Sequence, residues 1–114
     1  YKRQHVYYGE DAKARETAAR LREKVWNKWH KKVRMGRFRD QAVGPHPISM
    51  YQIEFDREIF DEIIPWLMYN RDGLSVLVHA DAEDAWRDHA WYPFWMGDKL
   101  DLRLDWLAAG NRKA

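Results

Sequence analysis

A chain of 114 residues that is 46% hydrophobic, 15% aromatic and 33% charged can bury a core, which excludes a disordered chain, a collagen-like fibre and a polar linker. It holds no cysteine, so disulfides, thiolate zinc sites, iron–sulfur clusters and a cysteine nucleophile are excluded as well. Its 20 Lys and Arg against 18 Asp and Glu give a formal charge of +2, with the signs interspersed, and net charge therefore supplies no nucleic-acid footprint. No uncharged stretch approaches the ~20 apolar residues that cross a bilayer. The opening Tyr1-Lys-Arg-Gln-His has no apolar signal core, and the expected location is cytoplasmic.

Along the chain, His5 to Tyr8 reads as a strand that stops at Gly9, with Glu10 and Asp11 offering a helix cap. Ala14, Ala18, Leu21, Val25 and Trp29 recur at helical spacing opposite Arg15, Arg20, Arg22, Glu23 and Lys24, which predicts an amphipathic helix from Ala12 to about His30. Val33 to Phe38 alternates apolar with basic residues as a half-exposed second strand, and Gly36 inside it marks a bulge or a close backbone approach. Gly44, Pro45 and Pro47 forbid regular pairing and make Arg39 to Pro47 a long connection before a third strand, Met50 to Phe55. Asp56 caps a helix with Ile59, Phe60, Ile63 and Ile64 on one face and a kink at Pro65. A turn over Asn70 to Gly73 precedes a fourth strand, Leu74 to His79. Asp81 to Asp88 follows as an acidic loop or short helix, Tyr92 to Met96 as a possible fifth strand, and Leu100 to Leu107 closes the chain.

The order βαββαβ with a short C-terminal extension predicts an α+β, ferredoxin-like sandwich. It has a four-stranded antiparallel sheet, two helices on one face, and a single domain over residues 1–114. Alternation puts Val6, Tyr8, Leu74, Val76 and Val78 under the helices and leaves His5, Tyr7, Ser75, Leu77 and His79 on the uncovered side. The first and fourth strands are antiparallel neighbours in this topology, so His5 comes beside His79. Taken singly, a histidine is a surface or hydrogen-bonded core residue; a pair on one face can hold a metal. Two imidazoles and a carboxylate on one side of an ion leave room for substrate and dioxygen. The expected set is His5, His79 and Glu54, with Asp81, Asp84 and Asp88 as other carboxylates within reach.

The chain carries, in order, the words His5-Val-Tyr-Tyr, Val43-Gly-Pro-His46-Pro, Pro65-Trp-Leu-Met, Asn70-Arg-Asp-Gly-Leu-Ser-Val-Leu-Val-His79, Asp88-His89 and Trp95-Met-Gly-Asp, within a match that runs from about His5 to Leu104. In order and spacing this set resembles the DOPA 4,5-dioxygenase family. The resemblance implies extradiol ring cleavage of a catechol, such as DOPA or a caffeate-like acid, at a non-haem Fe(II) site. It implies His5 and His79 as iron ligands, and His46 and His89 as catalytic residues moving catechol protons. His46 falls at the far end of the sheet from His5 unless the long connection folds back or a second subunit supplies it. The chain departs from the family pattern in His79-Ala-Asp-Ala-Glu-Asp after the fourth strand, in Arg39 and in Gln52.

Arg34, Arg37 and Arg39 read either as a solvated strand edge or, for Arg37 and Arg39, as a clamp on a substrate carboxylate. Tyr7 and Trp95, with Trp91, Tyr92 and Phe94, are either core or a wall on which a catechol stacks. Seven tryptophans and an uncovered sheet face point to a homodimer. Two other classes share the fold. An aromatic-bearing open sheet binds single-stranded RNA, although no segment here matches the Lys/Arg-Gly-Phe/Tyr-Gly/Ala-Phe pattern. A cofactor-free or haem-handling dimeric α+β barrel packs two such sheets around a cavity.

Overall fold

The computed structural model of the chain describes residues 2–81 and 84–108. The elements are β1 (Lys2–Tyr7), α1 (Ala12–Trp29), β2 (Val33–Met35), β3 (Met50–Phe55), a 3-10 turn (Arg57–Ile59) running into α2 (Phe60–Asn70), β4 (Ser75–Ala80), α3 (Ala85–Ala90), β5 (Phe94–Met96) and α4 (Leu104–Ala108). The strands form one sheet in the order β2-β3-β1-β4-β5, with every pairing antiparallel. This is the α+β, ferredoxin-like order with a fifth strand added beside β4, where the sequence predicts four strands and leaves the fifth open. No helix among the described residues is long and apolar enough to cross a membrane.

The main core lies between one sheet face and the two long helices. Asp11 caps α1 by accepting from the Ala14 amide at 3.2 Å, and α1 buries Ala18, Leu21, Val25 and Trp29, the residues at helical spacing. Asp56 caps the 3-10 turn, and α2 runs continuously through Pro65 while burying Ile63, Ile64 and Leu67. Val6, Tyr8, Val76 and Val78 complete this core from the sheet. Tyr51 adds a hydrogen bond, its hydroxyl donating to the Ala18 carbonyl at 2.8 Å.

Strand two is shorter than its alternation suggests. The Gly36 amide still donates to the Gln52 carbonyl at 2.7 Å, but the Gly36 carbonyl turns to the Arg22 guanidinium, 3.0 Å away, and the ladder ends. A Cβ at Gly36 would lie 3.2 Å from the Gln52 carbonyl oxygen, so this is the close backbone approach that the glycine signals. Phe38 then packs edge-on against Tyr8 and Tyr51.

The second sheet face is not bare. Tyr7, Met50 and Leu77 form a separate buried cluster, covered by Val43, Trp95, Leu100 and Leu102. Exposing such a patch would forfeit roughly 25 cal/mol for each Å² of apolar surface, and the chain covers it with its own connection and C-terminal segment. The two covering pieces are joined where the Arg103 amide donates to the Pro45 carbonyl at 2.8 Å. Tyr7 is 2% exposed and offers no stacking surface, and the centre of this face is filled by the chain itself.

Gly97 makes the bend after β5 with φ +78°, and a Cβ there would lie 2.7 Å from Arg71 Nη1, the group that donates to the Leu74 carbonyl. Gly97→Ala is expected to destabilise the protein by about 1–3 kcal/mol through backbone strain. The check is a lower urea midpoint at unchanged m.

Candidate metal centre

Four histidines from four different elements meet on the second face. β1 supplies His5 and β4 supplies His79; the register pairs His5 with Leu77, and His79 with Arg3, so the two imidazoles are diagonal neighbours with Nε2 atoms 2.9 Å apart. His46 arrives because the long connection folds back. Val43 and His46 exchange backbone hydrogen bonds of 3.0 and 3.3 Å around Gly44, whose φ of +57° is the left-handed conformation a glycine adopts freely. His89 comes from α3, where Asp84 caps the helix by accepting from the Trp86 and Arg87 amides. All four side chains come from this one chain, so a second subunit is not needed to supply His46.

The rings are closely set. Centroid separations are 4.3 Å for His5–His46, 5.1 Å for His5–His79, 4.2 Å for His79–His89 and 5.9 Å for His5–His89. None of the four is more than 4% exposed. One ring nitrogen each from His5, His46 and His89 lies within 4.8 Å of the others.

Hydrogen bonds assign the tautomers. His79 Nδ1 is 2.8 Å from the Ala80 carbonyl and His89 Nδ1 is 2.6 Å from the Ala85 carbonyl. A carbonyl only accepts, so both rings carry their proton on Nδ1, and in the neutral form Nε2 is a bare acceptor. His79 Nε2 accepts from His5 Nε2–H, which leaves His5 Nδ1 without a proton. His5 Nδ1 and His89 Nε2 are buried with no hydrogen-bond partner among the described residues.

Burial keeps these rings neutral. His5 titrates well below the ordinary range, first through burial and then through its histidine neighbours and Arg3. Burial, reinforced by His89, pushes His79 down to about 3, against the opposing bond to Ala80. Burial also lowers His89, with the Ala85 bond and Asp88 opposing. Neutral imidazoles with buried, unsatisfied lone pairs suit a divalent transition metal: each lone pair costs desolvation energy when left unmade, and a cation satisfies several at once. The residues present fit such an ion.

Beside His46 opens a cavity of about 370 Å³ lined by Arg37, Arg39, Met50, Gln52 and Trp106 as well as His46 itself, within the usual size of small-molecule sites. Trp106 on α4 was not legible as a site residue, because nothing local says where the closing segment docks.

The remaining predicted site residues lie elsewhere. Glu54 is held by two cations, with Arg3 Nε at 3.2 Å and Arg34 Nη1 at 3.4 Å. It is not in the group whose ligand atoms converge. Asp81 pairs with Arg3 at 3.0 Å, and Asp84 serves as the α3 cap. Tyr7 and Trp95 do not line the cavity: Trp95 stacks on Tyr7 at 5.7 Å, and the Tyr7 hydroxyl is 2.7 Å from His46 Nδ1. They back the histidine cluster instead.

Residues 3–106 match the Dopa 4,5-dioxygenase family. The chain is 34% identical over 111 residues to an uncharacterised 21.2 kDa protein of Botryotinia fuckeliana, covering 88% of this chain and 59% of that protein. It is 37% identical over 62 residues to the DOPA 4,5-dioxygenase of Amanita muscaria, covering 54% of this chain and 27% of that enzyme. The chain thus spans less than two thirds of either relative. The crystal structure of a Nostoc punctiforme protein, described provisionally as a dioxygenase, superposes with a TM-score of 0.86 at 42% identity over 96% of this chain and 92% of its own. On the extent of the family match, this chain belongs to the Dopa 4,5-dioxygenase family.

Proposed function

We propose that the chain carries the active site of an extradiol dioxygenase acting on a carboxylated catechol, DOPA or a caffeate-like acid, with Fe(II) held by His5, His46 and His89. The observation that carries this reading is a buried, all-imidazole cluster with bare lone pairs at the side of a cavity that holds two arginines. This regroups the roles implied by the resemblance. His46 and His89 join the ligands, and His79, hydrogen-bonded to His5, becomes the proton carrier. Glu54 leaves the set because Arg3 and Arg34 hold it.

Bound iron would supply the electronic coupling between an aromatic diol and dioxygen that protein side chains lack. The chain's own residues do the rest. Arg37 and Arg39 bind the substrate carboxylate through charge-assisted hydrogen bonds. Val43, Met50 and Trp106 line the apolar part of the cavity and exclude water from the ring. His79 Nε2, a bare acceptor when released from His5, takes a catechol proton; its Nδ1–H, anchored on Ala80, holds the ring in place. With no carboxylate among the three imidazoles, an anionic catecholate is the ligand that best balances the charge.

Protein loaded anaerobically with Fe(II) and mixed with DOPA or caffeate under oxygen is expected to consume oxygen and form a yellow ring-opened product. Arg37→Met and Arg39→Met are each expected to raise KM for the carboxylated catechol by roughly 10-fold or more, the equivalent of about 1.5–3 kcal/mol for a charged hydrogen bond, while unsubstituted catechol is handled as before. Iron-loaded protein that takes up no oxygen with any catechol would overturn the proposal.

A further inference from the structure

We propose that Tyr7 is a positioning residue, whose buried hydroxyl, 2.7 Å from His46 Nδ1, fixes the imidazole of His46 with Nε2 presented to the histidine cluster. The metal-binding consequence rests on the function proposed above; the orientation and tautomer of His46 do not.

Each ring of the cluster needs something to define which nitrogen faces inward. His79 and His89 take theirs from backbone carbonyls of neighbouring residues in their own elements, Ala80 and Ala85. His46 sits on a turn, and its Nδ1 is met by a side chain from β1, 39 positions away in sequence. A phenol hydroxyl both donates and accepts; in the accepting role it takes Nδ1–H as those carbonyls do and gives His46 the same arrangement as its neighbours, proton on Nδ1 and lone pair on Nε2. Such anchoring of the nitrogen remote from a metal sets both ring orientation and ligand basicity.

Three features of Tyr7 fit this role. It is 2% exposed, so its hydroxyl does not reach solvent or the cavity. Its ring is pinned by Trp95, stacked at 5.7 Å and 25°, and by packing with Met50 and Leu77; Phe would fill the same space. A buried hydroxyl costs desolvation energy unless it is bonded, and His46 is the bond it makes. Because Tyr7 and His5 are two residues apart on one strand, they share a face, and the strand itself sets the spacing between the anchor and the ring at the centre of the cluster. Burial also holds the phenol in its neutral form, so the anchor persists across the working pH range.

The experiment compares wild type, Tyr7→Phe, His46→Ala and the double variant. Long-range proton–nitrogen spectra of the histidine side chains, on metal-free protein, should show His46 in one tautomer in the wild type and averaged between two in Tyr7→Phe, with His79 and His89 unmoved. Zinc affinity, measured by competition with a chromophoric chelator, should fall roughly 10- to 100-fold in Tyr7→Phe. Tyr7→Phe should have no further effect on the His46→Ala background, which separates action through His46 from general loosening of the core. An unchanged His46 tautomer, an unchanged zinc affinity, or an equal loss on both backgrounds would overturn the role. If wild type binds no zinc, the metal centre fails and the spectra alone decide on Tyr7. Should Tyr7→Phe not fold, 3,5-difluorotyrosine at position 7 retains ring and hydroxyl: a shift of the His46 nitrogens alone supports the role, and no shift overturns it.

Discussion

His89→Leu is expected to abolish metal-dependent stabilisation and catechol turnover while making the metal-free protein more stable than wild type. The two effects have opposite signs because the site and the fold ask different things of residue 89. In the metal-free fold His89 is 4% exposed and its Nε2 has no hydrogen-bond partner among the described residues. An unsatisfied buried polar atom costs about 1–3 kcal/mol, and leucine, of similar volume, removes that cost without leaving a large cavity. With metal present, wild type gains RT ln(1 + [L]/Kd), about 2.7 kcal/mol at a hundredfold excess over Kd, a rise of several degrees or more in Tm for a protein of this size. The variant, lacking one of three ligand nitrogens, gains little. Thermal melts of both proteins with and without zinc or Fe(II) should therefore cross, the variant melting higher without metal and lower with it. A variant that melts lower under both conditions would mean that His89 is an ordinary core residue held by its bond to Ala85, and the metal centre would lose one of its three supports.

How much of this was readable in advance depended on whether a feature is set locally or by docking. Alternation along β1 and β4 has period 2, so the division of Val6 and Tyr8 from His5 and Tyr7 follows from the pleat alone, and the His5–His79 contact follows once the topology is known. The spacing of Leu21, Val25 and Trp29 likewise specifies a helix face. The position of His46 is different in kind. The glycine and prolines around it announce a turn, but where the turn lands depends on the apolar cluster of Tyr7, Met50 and Leu77 that it helps to bury on the sheet and on the bond from Arg103 to Pro45. Glu54 shows the opposite failure. It does sit on the sheet face near the histidines, paired in register with Arg3 on one side and Arg34 on the other, and that double cross-strand pairing, invisible in the linear chain, converts a candidate ligand into the centre of an ion network. Arg39 and Gln52 come together at the cavity for the same reason as His46, because where the long connection lies against the third strand is set by docking rather than by local sequence.

Acid should unfold the metal-free protein unusually early, and the slope should identify which residues are responsible. In the unfolded chain His5, His79 and His89 titrate near the ordinary value of ~6.5. In the fold all three stay neutral to lower pH, His79 down to about 3. Above pH ~6.5 neither state binds these protons and stability is at its full value. As pH falls from there toward the folded values, the unfolded state gains protons that the folded state refuses, and each histidine withdraws about 1.4 kcal/mol per pH unit. His79 alone sustains that slope down to about pH 3, His5 and His89 add to it in the same direction, and the total at stake is about 5–15 kcal/mol for a typical domain, so acid unfolding is expected well above the range in which a fold without buried neutral histidines gives way. Asp40 cannot account for a transition in that range: Arg15 first, and then Tyr8, hold its carboxyl at about 2, so its contribution is lost only below the ordinary carboxylate range. Urea titrations at intervals between pH 7 and 4 should show the stability of wild type falling steeply, with His79→Leu reducing the slope by up to about 1.4 kcal/mol per pH unit. Because metal ligation requires neutral imidazoles, metal should delay the transition to lower pH until protons displace it. A wild-type profile that stays flat to pH 4 would show that the buried rings take up protons as readily as free histidine, and the neutral, lone-pair-bearing cluster on which the metal centre rests would not exist.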